Sequence, residues 1–209
     1  MTVVDYGIGN LLSVARALEH AGARVTLSGA AAEIERSARV VLPGVGAFGR
    51  AMEVLRAQGL ADAVIRFAQT GRPLLGICLG MQILFEESEE FGRHTGLGLV
   101  PGKVVAIPKI GGDGAPVKLP HVGWCPVRPP AGHDWRDTIL DGAPEATAFY
   151  FVHWYEAAPA RADDLIGETE YHRLSIPAVV QRDGIAGTQF HPEKSGPAGL
   201  RLLARFLSM

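Results

Sequence analysis

Cysteine is scarce in this chain, and neither sign of charge is in excess. The 209 residues contain only Cys78 and Cys125, and 20 Lys and Arg face 22 Asp and Glu. Two cysteines in different contexts do not make a disulfide framework, and no Cys/His spacing fits a zinc site. The balanced charge gives no electrostatic reason to expect a nucleic acid or an anionic membrane as partner.

Long apolar runs are also missing. No stretch approaches the roughly 20 residues that span a bilayer, and the N-terminus lacks the basic and apolar regions of a secretion signal. Apolar residues still make up 47% of the chain, enough for a core. We expect a cytoplasmic enzyme or enzyme subunit with reduced thiols. Because repeats, low-complexity segments and long linkers are absent, we expect one domain over residues 1–209.

Strand and helix patterns alternate along the first hundred residues. The predicted strands are Thr2–Tyr6, Arg24–Leu27, Arg39–Leu42 and Pro73–Ile77. The predicted helices are Asn10–Ala21, Ala47–Gln58, Ala61–Gln69 and Met81–Glu87. This alternation predicts an α/β fold with a mainly parallel central sheet and helices on both faces.

The second half contains short strand patterns separated by Gly, Pro and Asp. They are Val100–Ile107, Ala148–His153, Asp164–Glu170, Ala178–Gln181 and Ala186–Phe190, and an amphipathic helix at Ala198–Leu207 closes the chain. We expect these strands to extend the sheet as antiparallel additions.

The candidate nucleophile lies where the fourth strand gives way to a helix. Cys78 stands between Gly76 and Gly80 in a G-x-C-x-G pattern, the thiol counterpart of the G-x-S-x-G nucleophile elbow. The sharp turn needs small neighbours, and the helix start favours a thiolate. The N–H of Leu79 is a candidate oxyanion donor there. The alternative is a small buried cysteine without reactivity.

A candidate base follows the last predicted strand. His191 and Glu193 are two residues apart, and residues i and i+2 of an extended chain point to the same side. Pro192 favours extended angles at His191. The carboxylate can then fix the tautomer of the imidazole that takes the thiol proton. The alternative is a surface histidine beside a solvated glutamate.

A glycine-rich loop follows the third strand. Gly44, Gly46 and Gly49 form G-x-G-x-x-G, which taken alone suggests a dinucleotide site. That site also needs an acidic residue at the end of the next strand, where this chain has Cys78. We favour the other use of such a loop, as a set of backbone amides facing the nucleophile.

With these motifs assembled, the chain resembles the class I (triad) glutamine amidotransferases over nearly its whole length. G-I-C-L-G-M-Q and F-H-P-E-K-S are typical of the family. D-Y-G-I-G-N-L near the start, L-P-G-V-G-A-F at 42–48, P-H-V-G-W at 120–124 and Y-F-V-H-W-Y at 150–155 favour its branch of imidazole glycerol phosphate synthase glutaminases. The resemblance implies a flavodoxin-like, three-layer fold.

The resemblance also implies roles and partners. Cys78 would attack the side-chain amide of L-glutamine, His191 would protonate the departing ammonia and then activate water, and Glu193 would orient His191. The implied oxyanion donors are the N–H groups of Val45 and Leu79. The implied glutamine-binding positions are Gly44, Gly46, Gln82, His153 and Trp154. Ammonia would pass to a (β/α)₈-barrel cyclase subunit in a heterodimer, with Asn10, Trp124 and Tyr150 at the interface, and without cofactor or metal.

Trp154 departs from the family pattern, which usually has Ser or Thr after Y-F-V-H. Its side chain either enters the glutamine pocket or is a half-buried aromatic at a strand end, and we favour the latter. Core packing is likewise the alternative for Trp124 and Tyr150, and we expect Cys125 to be inert. Two other functions are weighed, a scaffold subunit without catalysis and a cysteine peptidase. The complete Cys78, His191 and Glu193 set disfavours the first, and the remaining motifs disfavour the second.

Overall fold

The alternating half of the chain forms the parallel part of a nine-stranded sheet in the computed structural model, which describes residues 1–209. The strands are β1 (Thr2–Val4), β2 (Thr26–Ser28), β3 (Val40–Gly44), β4 (Leu74–Cys78), β5 (Phe85–Ser88), β6 (His94–Thr95), β7 (Val100–Ala106), β8 (His121–Arg128), β9 (Thr147–His153), β10 (Tyr155–Pro159), β11 (Leu165–Tyr171), β12 (Leu174–Arg182) and β13 (Ile185–Thr188). The helices are α1 (Leu11–His20), α2 (Ala31–Arg36), α3 (Phe48–Ala57), α4 (Leu60–Ala68), α5 (Leu79–Gln82) and α6 (Gly196–Ser208), and two 3₁₀ turns cover Ala162–Asp164 and Pro192–Lys194.

The large sheet has a parallel half and an antiparallel half. Its order is β2-β1-β3-β4-β13-β12-β11-β8-β9, with parallel pairs from β2 to β13 and antiparallel pairs from β13 to β9. A second sheet of four strands has the order β10-β7-β5-β6. The predicted α/β class, a parallel sheet core with antiparallel additions, is confirmed.

Neighbouring residues of the parallel strands are buried in two different apolar clusters. Val4, Val40 and Leu74 belong to the cluster that contains the side chains of α2, α3 and α4. Val3, Val41 and Leu75 belong to the cluster that contains the side chains of α1 and α6. Because successive side chains of a strand point to opposite faces, the sheet lies between two helical layers.

The carboxyl ends of three adjacent parallel strands lie side by side. Gly44 at the end of β3 pairs with Cys78 at the end of β4, and Ile77 pairs with Thr188 at the end of β13. The segments that follow these strands therefore start at one edge of the sheet, where open α/β sheets carry their ligand sites. These are the glycine loop, the cysteine turn and the His191 segment.

One predicted helix is wrong. The sequence predicts a helix over Met81–Glu87, but α5 ends at Gln82 and Phe85 begins β5, which pairs with β7 in parallel. Periodicity does not separate a short buried strand from a helix, and pairing with β7 decides the matter here. The sequence patterns also do not predict α2, β6, β8 or β10. The segment of β8 does not show a strand pattern because it contains Gly123 and Pro126, and both residue types are unusual within strands.

None of the helices combines the length and the hydropathy that crossing a bilayer requires.

Candidate functional site

Cys78 occupies a strained turn between β4 and α5. Its backbone has φ 56° and ψ −112°, and the residue is 7% exposed. A Cβ on Gly80 would lie 1.8 Å from the carbonyl oxygen of Leu42, and one on Gly76 would lie 2.6 Å from that of Gly80. Both glycines therefore allow a close backbone approach that any side chain would block. Positive φ at a non-glycine residue costs energy, and such strain is typical of functional sites.

His191 and Glu193 meet beside this cysteine. Nδ1 of His191 and Oε1 of Glu193 are 2.8 Å apart, and both side chains are almost fully buried. Burial alone would lower the pKa of His191, but the hydrogen bonds and charges of Cys78 and Glu193 outweigh it and raise that pKa to about 9. These two neighbours therefore favour the imidazolium form of the ring at neutral pH.

The local backbone achieves this contact differently from the sequence expectation. His191 is extended, with φ −100° and ψ 97°, but Pro192–Lys194 forms a 3₁₀ turn. The turn, and not an extended chain, brings the carboxylate back onto the ring two residues earlier. Oε2 of Glu193 is buried and has no hydrogen-bond partner within the chain.

The sulfur of Cys78 has two polar neighbours that the sequence did not single out. The Val152 carbonyl oxygen is 4.0 Å from Sγ, and Nε2 of Gln189 is 3.8 Å from it. Gln189 is fully buried and immediately precedes the phenylalanine before His191. The only sequence signal for it was its position next to the candidate base.

The glycine loop borders the cysteine turn. A Cβ on Gly44 would lie 2.7 Å from the Tyr6 hydroxyl, and Gly46 has φ +94°, so neither position suits a larger residue. The Tyr6 hydroxyl donates to the Pro43 carbonyl at 2.9 Å, and burial together with the nearby Cys78 raises its pKa. This hydrogen bond from Tyr6 therefore holds the backbone at the start of the glycine loop.

A cavity of about 690 Å³ opens over these residues. Its lining includes the candidate nucleophile Cys78, the candidate base His191, both candidate oxyanion donors, Val45 and Leu79, and Gly46, whereas Glu193 does not line it. The other lining residues are Ala47, Gln82, Glu90, Phe91, Val152, His153, Trp154, Tyr155 and Lys194. The volume is in the range of small-molecule sites. Glu90 and Lys194 bring an acidic and a basic side chain to the cavity. Neither residue is predicted from the sequence as part of the site.

The predicted substrate-binding side chains differ in what they can offer a ligand. Nε2 of Gln82 donates to the Tyr155 carbonyl and to Oε1 of Gln189, each at 3.0 Å, which leaves its own oxygen free. Both ring nitrogens of His153 are engaged, one with Tyr155 O at 2.9 Å and one with His121 at 2.8 Å. The His153 ring therefore forms part of the cavity wall and has no free nitrogen with which to bind a ligand.

The aromatic candidates lie toward solvent. Trp154 is 56% exposed at the cavity mouth, between β9 and β10. Trp124 is also 56% exposed and meets Tyr150 of the edge strand edge-to-face, with ring centroids 6.1 Å apart. Asn10 is exposed at the start of α1. Trp124 is therefore a surface residue, which removes core packing as its explanation.

Comparison with known proteins gives results that agree with one another. The family described as "Glutamine amidotransferase class-I" matches residues 2–209. The "Imidazole glycerol phosphate synthase subunit HisH" of Geobacillus thermodenitrificans (strain NG80-2) is 47% identical over 207 residues, 99% of this chain and 94% of that protein. The "Imidazole glycerol phosphate synthase subunit HisH 1" of Legionella pneumophila (strain Lens) is 44% identical over 210 residues, 100% of this chain and 99% of that protein.

Solved structures share the fold at lower identity. A "Crystal structure of glutamine amidotransferase" aligns with a TM-score of 0.74 at 17% identity and covers 99% of this chain and 97% of its own. The "Structure of PurLQS from Thermotoga maritima" aligns with a TM-score of 0.72 at 19% identity and covers 99% and 96%.

Proposed function

This chain belongs to the class I glutamine amidotransferases, and we propose that it is the glutaminase subunit of an imidazole glycerol phosphate synthase, hydrolysing L-glutamine through Cys78, His191 and Glu193. The full-length relatives carry that name. The observation that carries the chemistry is one cavity holding a cysteine at a strained strand–helix turn and a histidine bonded to a carboxylate at 2.8 Å.

The proposed reaction starts from the imidazolium form of His191. The Cys78 thiolate attacks the side-chain amide carbon of glutamine and forms a tetrahedral oxyanion. His191 gives its Nε2 proton to the amide nitrogen, the C–N bond breaks, and ammonia and a glutamyl thioester remain. The now neutral ring takes a proton from water and becomes an imidazolium again, and the resulting hydroxide adds to the thioester carbon. Collapse of this second oxyanion breaks the C–S bond, which restores the Cys78 thiolate and releases the γ-carboxylic acid of glutamate, whose proton passes to solvent. Glu193 holds Nδ1 throughout, so that Nε2 faces the reacting atoms.

The oxyanion would be stabilised by backbone N–H groups of Val45 and Leu79. Both residues line the cavity, and they follow Gly44 and Cys78, which are paired in register at adjacent strand ends. Amides fixed by the backbone need little rearrangement when charge develops, so each is worth about 10²- to 10³-fold in rate.

The rest of the cavity suits a zwitterionic amino acid. Glu90 complements an α-ammonium group, and Lys194 complements an α-carboxylate. The free oxygen of Gln82 and the backbone around Gly46 add neutral hydrogen-bonding groups. A site of this kind selects a small charged amino acid over an extended peptide.

Ammonia would pass to a (β/α)₈-barrel cyclase subunit in a one-to-one heterodimer. Aromatic side chains lie beside the cavity mouth and on β8 and β9, where Trp154 and Trp124 are exposed and Tyr150 is half-buried. Exposed aromatics of this type are enriched at protein interfaces. The cyclase would use the ammonia to make imidazole glycerol phosphate and an aminoimidazole carboxamide nucleotide.

The test compares the two cysteines in the presence of the cyclase subunit. Glutamate release should be weak for the isolated chain, rise with the cyclase and its ligand, and disappear in Cys78→Ser. Cys125→Ser is the matched control and should keep its activity. The Cys78→Ser complex should still make product from added ammonium salts, because the cyclase is untouched.

Two results would contradict the proposal. Normal glutaminase activity in Cys78→Ser would mean that another group is the nucleophile. Failure of that complex with ammonium salts would argue against a separable glutaminase role. A glutamine-analogue electrophile should also modify the peptide that contains Cys78 and leave the Cys125 peptide unmodified.

A further inference from the structure

A second thiol–imidazole contact lies behind the cavity wall. His121 at the start of β8 pairs in register with His153 at the end of β9, and Nδ1 of His121 is 2.8 Å from Nε2 of His153. On its other side, Nε2 of His121 is 3.2 Å from Sγ of Cys125. His121 is fully buried and does not line the cavity. None of these contacts belongs to the proposed reaction.

The chemistry of the acceptors fixes where each proton lies. The Tyr155 carbonyl can only accept, so Nδ1 of His153, 2.9 Å away, carries hydrogen. Burial lowers the pKa of His153 to about 3 and that of His121 to about 4, so both rings are neutral. Nε2 of His153 must then accept from Nδ1–H of His121, and Nε2 of His121 must accept from the Cys125 thiol.

This second pair is electrostatically the opposite of the first. Burial raises the pKa of Cys125 while it lowers that of His121, which disfavours a thiolate–imidazolium pair. The stacked rings of Tyr171 and Phe151, with centroids 4.0 Å and 4.9 Å from that of His121, restrain the plane of its ring. His153, His121 and Cys125 therefore form a neutral hydrogen-bond network with a fixed geometry, and Cys125 is not a second nucleophile.

The hydrogen-bond network continues from His153 into the cavity. The Tyr155 carbonyl that accepts from His153 also accepts from Nε2 of Gln82 at 3.0 Å. The same nitrogen of Gln82 donates to Gln189 at 3.0 Å, and Gln189 reaches the Cys78 sulfur at 3.8 Å. One connected set of donors and acceptors thus joins His121 to the side chains that face the ligand.

We propose that His121 is a positioning residue for glutamine binding: its Nδ1–H donates to Nε2 of His153 and holds the orientation of that ring, which in turn holds the Tyr155 carbonyl and, through it, Gln82. The inference rests on the proposed glutaminase function for its kinetic part. Its tautomer part is independent of that function. Buried polar networks act in this way when every member is satisfied, because each bond restricts its neighbours.

The kinetic test compares two replacements of His121 in the complex with the cyclase. His121→Leu fits an apolar aromatic surround but offers no donor, whereas the amide of His121→Asn can place an N–H close to the position of Nδ1. We expect KM for glutamine to rise about tenfold in His121→Leu, with kcat changed less than about threefold, and to recover in His121→Asn to within about threefold of wild type. A general packing defect would affect both variants alike and would not separate KM from kcat.

The tautomer test uses ¹⁵N NMR of the histidine rings and needs no activity. The wild type should show hydrogen on Nδ1 of both His121 and His153, with Nε2 of His153 as a bonded acceptor. In His121→Leu the hydrogen of His153 should stay on Nδ1, because the Tyr155 carbonyl still accepts it, and the Nε2 resonance of His153 should move to the position of a nitrogen without a donor. Cys125→Ala removes only the outermost donor and should leave the tautomer of His153 unchanged. If this variant folds while His121→Leu does not, the wild-type spectrum still decides.

Hydrogen on Nε2 of His153 in the wild type would overturn the proposal, as would an unchanged KM in His121→Leu. Absence of any glutaminase activity in the wild-type complex would instead contradict the proposed function, and it would leave the NMR result standing.

Discussion

Ser195 connects the segment that carries His191 to the edge strand of the large sheet. Its hydroxyl accepts from the Tyr150 N–H at 3.0 Å and donates to the His191 carbonyl at 2.7 Å, and the residue is 1% exposed. Although Ser195 stands at the N-cap of α6, its side chain makes no capping bond. The hydroxyl therefore joins β9 to the His191 segment and does not stabilise the helix end.

Ser195→Ala removes both bonds without changing the backbone. The Tyr150 N–H is left without an acceptor, which costs about 1–3 kcal/mol. The His191 carbonyl still accepts from the N–H of Lys194 at 3.0 Å, so losing the bond from the Ser195 hydroxyl costs less at this end. We expect the free energy of unfolding to fall by about 2 kcal/mol, or Tm to fall by about 4–8 °C for a chain of this length.

The same substitution should also affect catalysis. The His191 segment would lose its side-chain connection to β9, the strand whose Val152 carbonyl lies 4.0 Å from the Cys78 sulfur. Small displacements of catalytic groups cost up to about 10²-fold in rate, and we expect kcat/KM to fall about tenfold or more. This should be measured as glutamate release in the complex with the cyclase, beside urea unfolding of the isolated chain.

Ser175→Ala is the matched control, because the exposed Ser175 donates its hydroxyl to the carboxylate of the half-buried Glu168 at 2.6 Å. It should change the free energy of unfolding by less than about 0.5 kcal/mol and leave turnover unchanged. If Ser195→Ala unfolds like Ser175→Ala, the hydroxyl is not a structural connection. If it loses stability and keeps full kcat/KM, the position of His191 does not depend on it.

Glu193→Gln should lower kcat by about 10³- to 10⁴-fold, as expected when a triad loses its orienting charge, and full activity would exclude that role. The imidazole of His191 should contribute about 3 kcal/mol to stability, because its pKa rises from the ordinary 6.5 to about 9 on folding. Because the pKa is raised on folding, this contribution is complete below pH 6.5 and is lost as pH rises through 9. In urea unfolding, the free energy of unfolding should therefore decrease less over that pH window in Glu193→Gln than in wild type. Gly80→Ala should prevent stable folding or cost about 3 kcal/mol or more, because its Cβ meets the carbonyl of Leu42 at 1.8 Å. Gly71→Ala has open space and a φ of +73°, so it should cost only about 1–2 kcal/mol, and equal costs in thermal unfolding would contradict the argument.

Local sequence patterns determined the parallel half of the fold. Apolar runs such as 40–42 and 74–77, each followed by glycine or a helix pattern, predicted strands that the structure contains as β3 and β4. Where local patterns were ambiguous the prediction was wrong, as at Met81–Glu87, or absent, as at β8. Pairing with distant strands decides those segments, and a single sequence does not report it.

Sequence alone also picked out Cys78, His191 and Glu193, because reactive side chains beside glycine or proline leave a local signal. Only the tertiary structure brought Cys78 and His191 to one cavity, with Glu193 bonded to His191, and added Gln189, Ser195 and the buried contact between two histidines. These added residues are ordinary polar side chains in the sequence. Their roles come from burial and from partners more than 30 residues away along the chain, and both are set by the packing of the whole sheet.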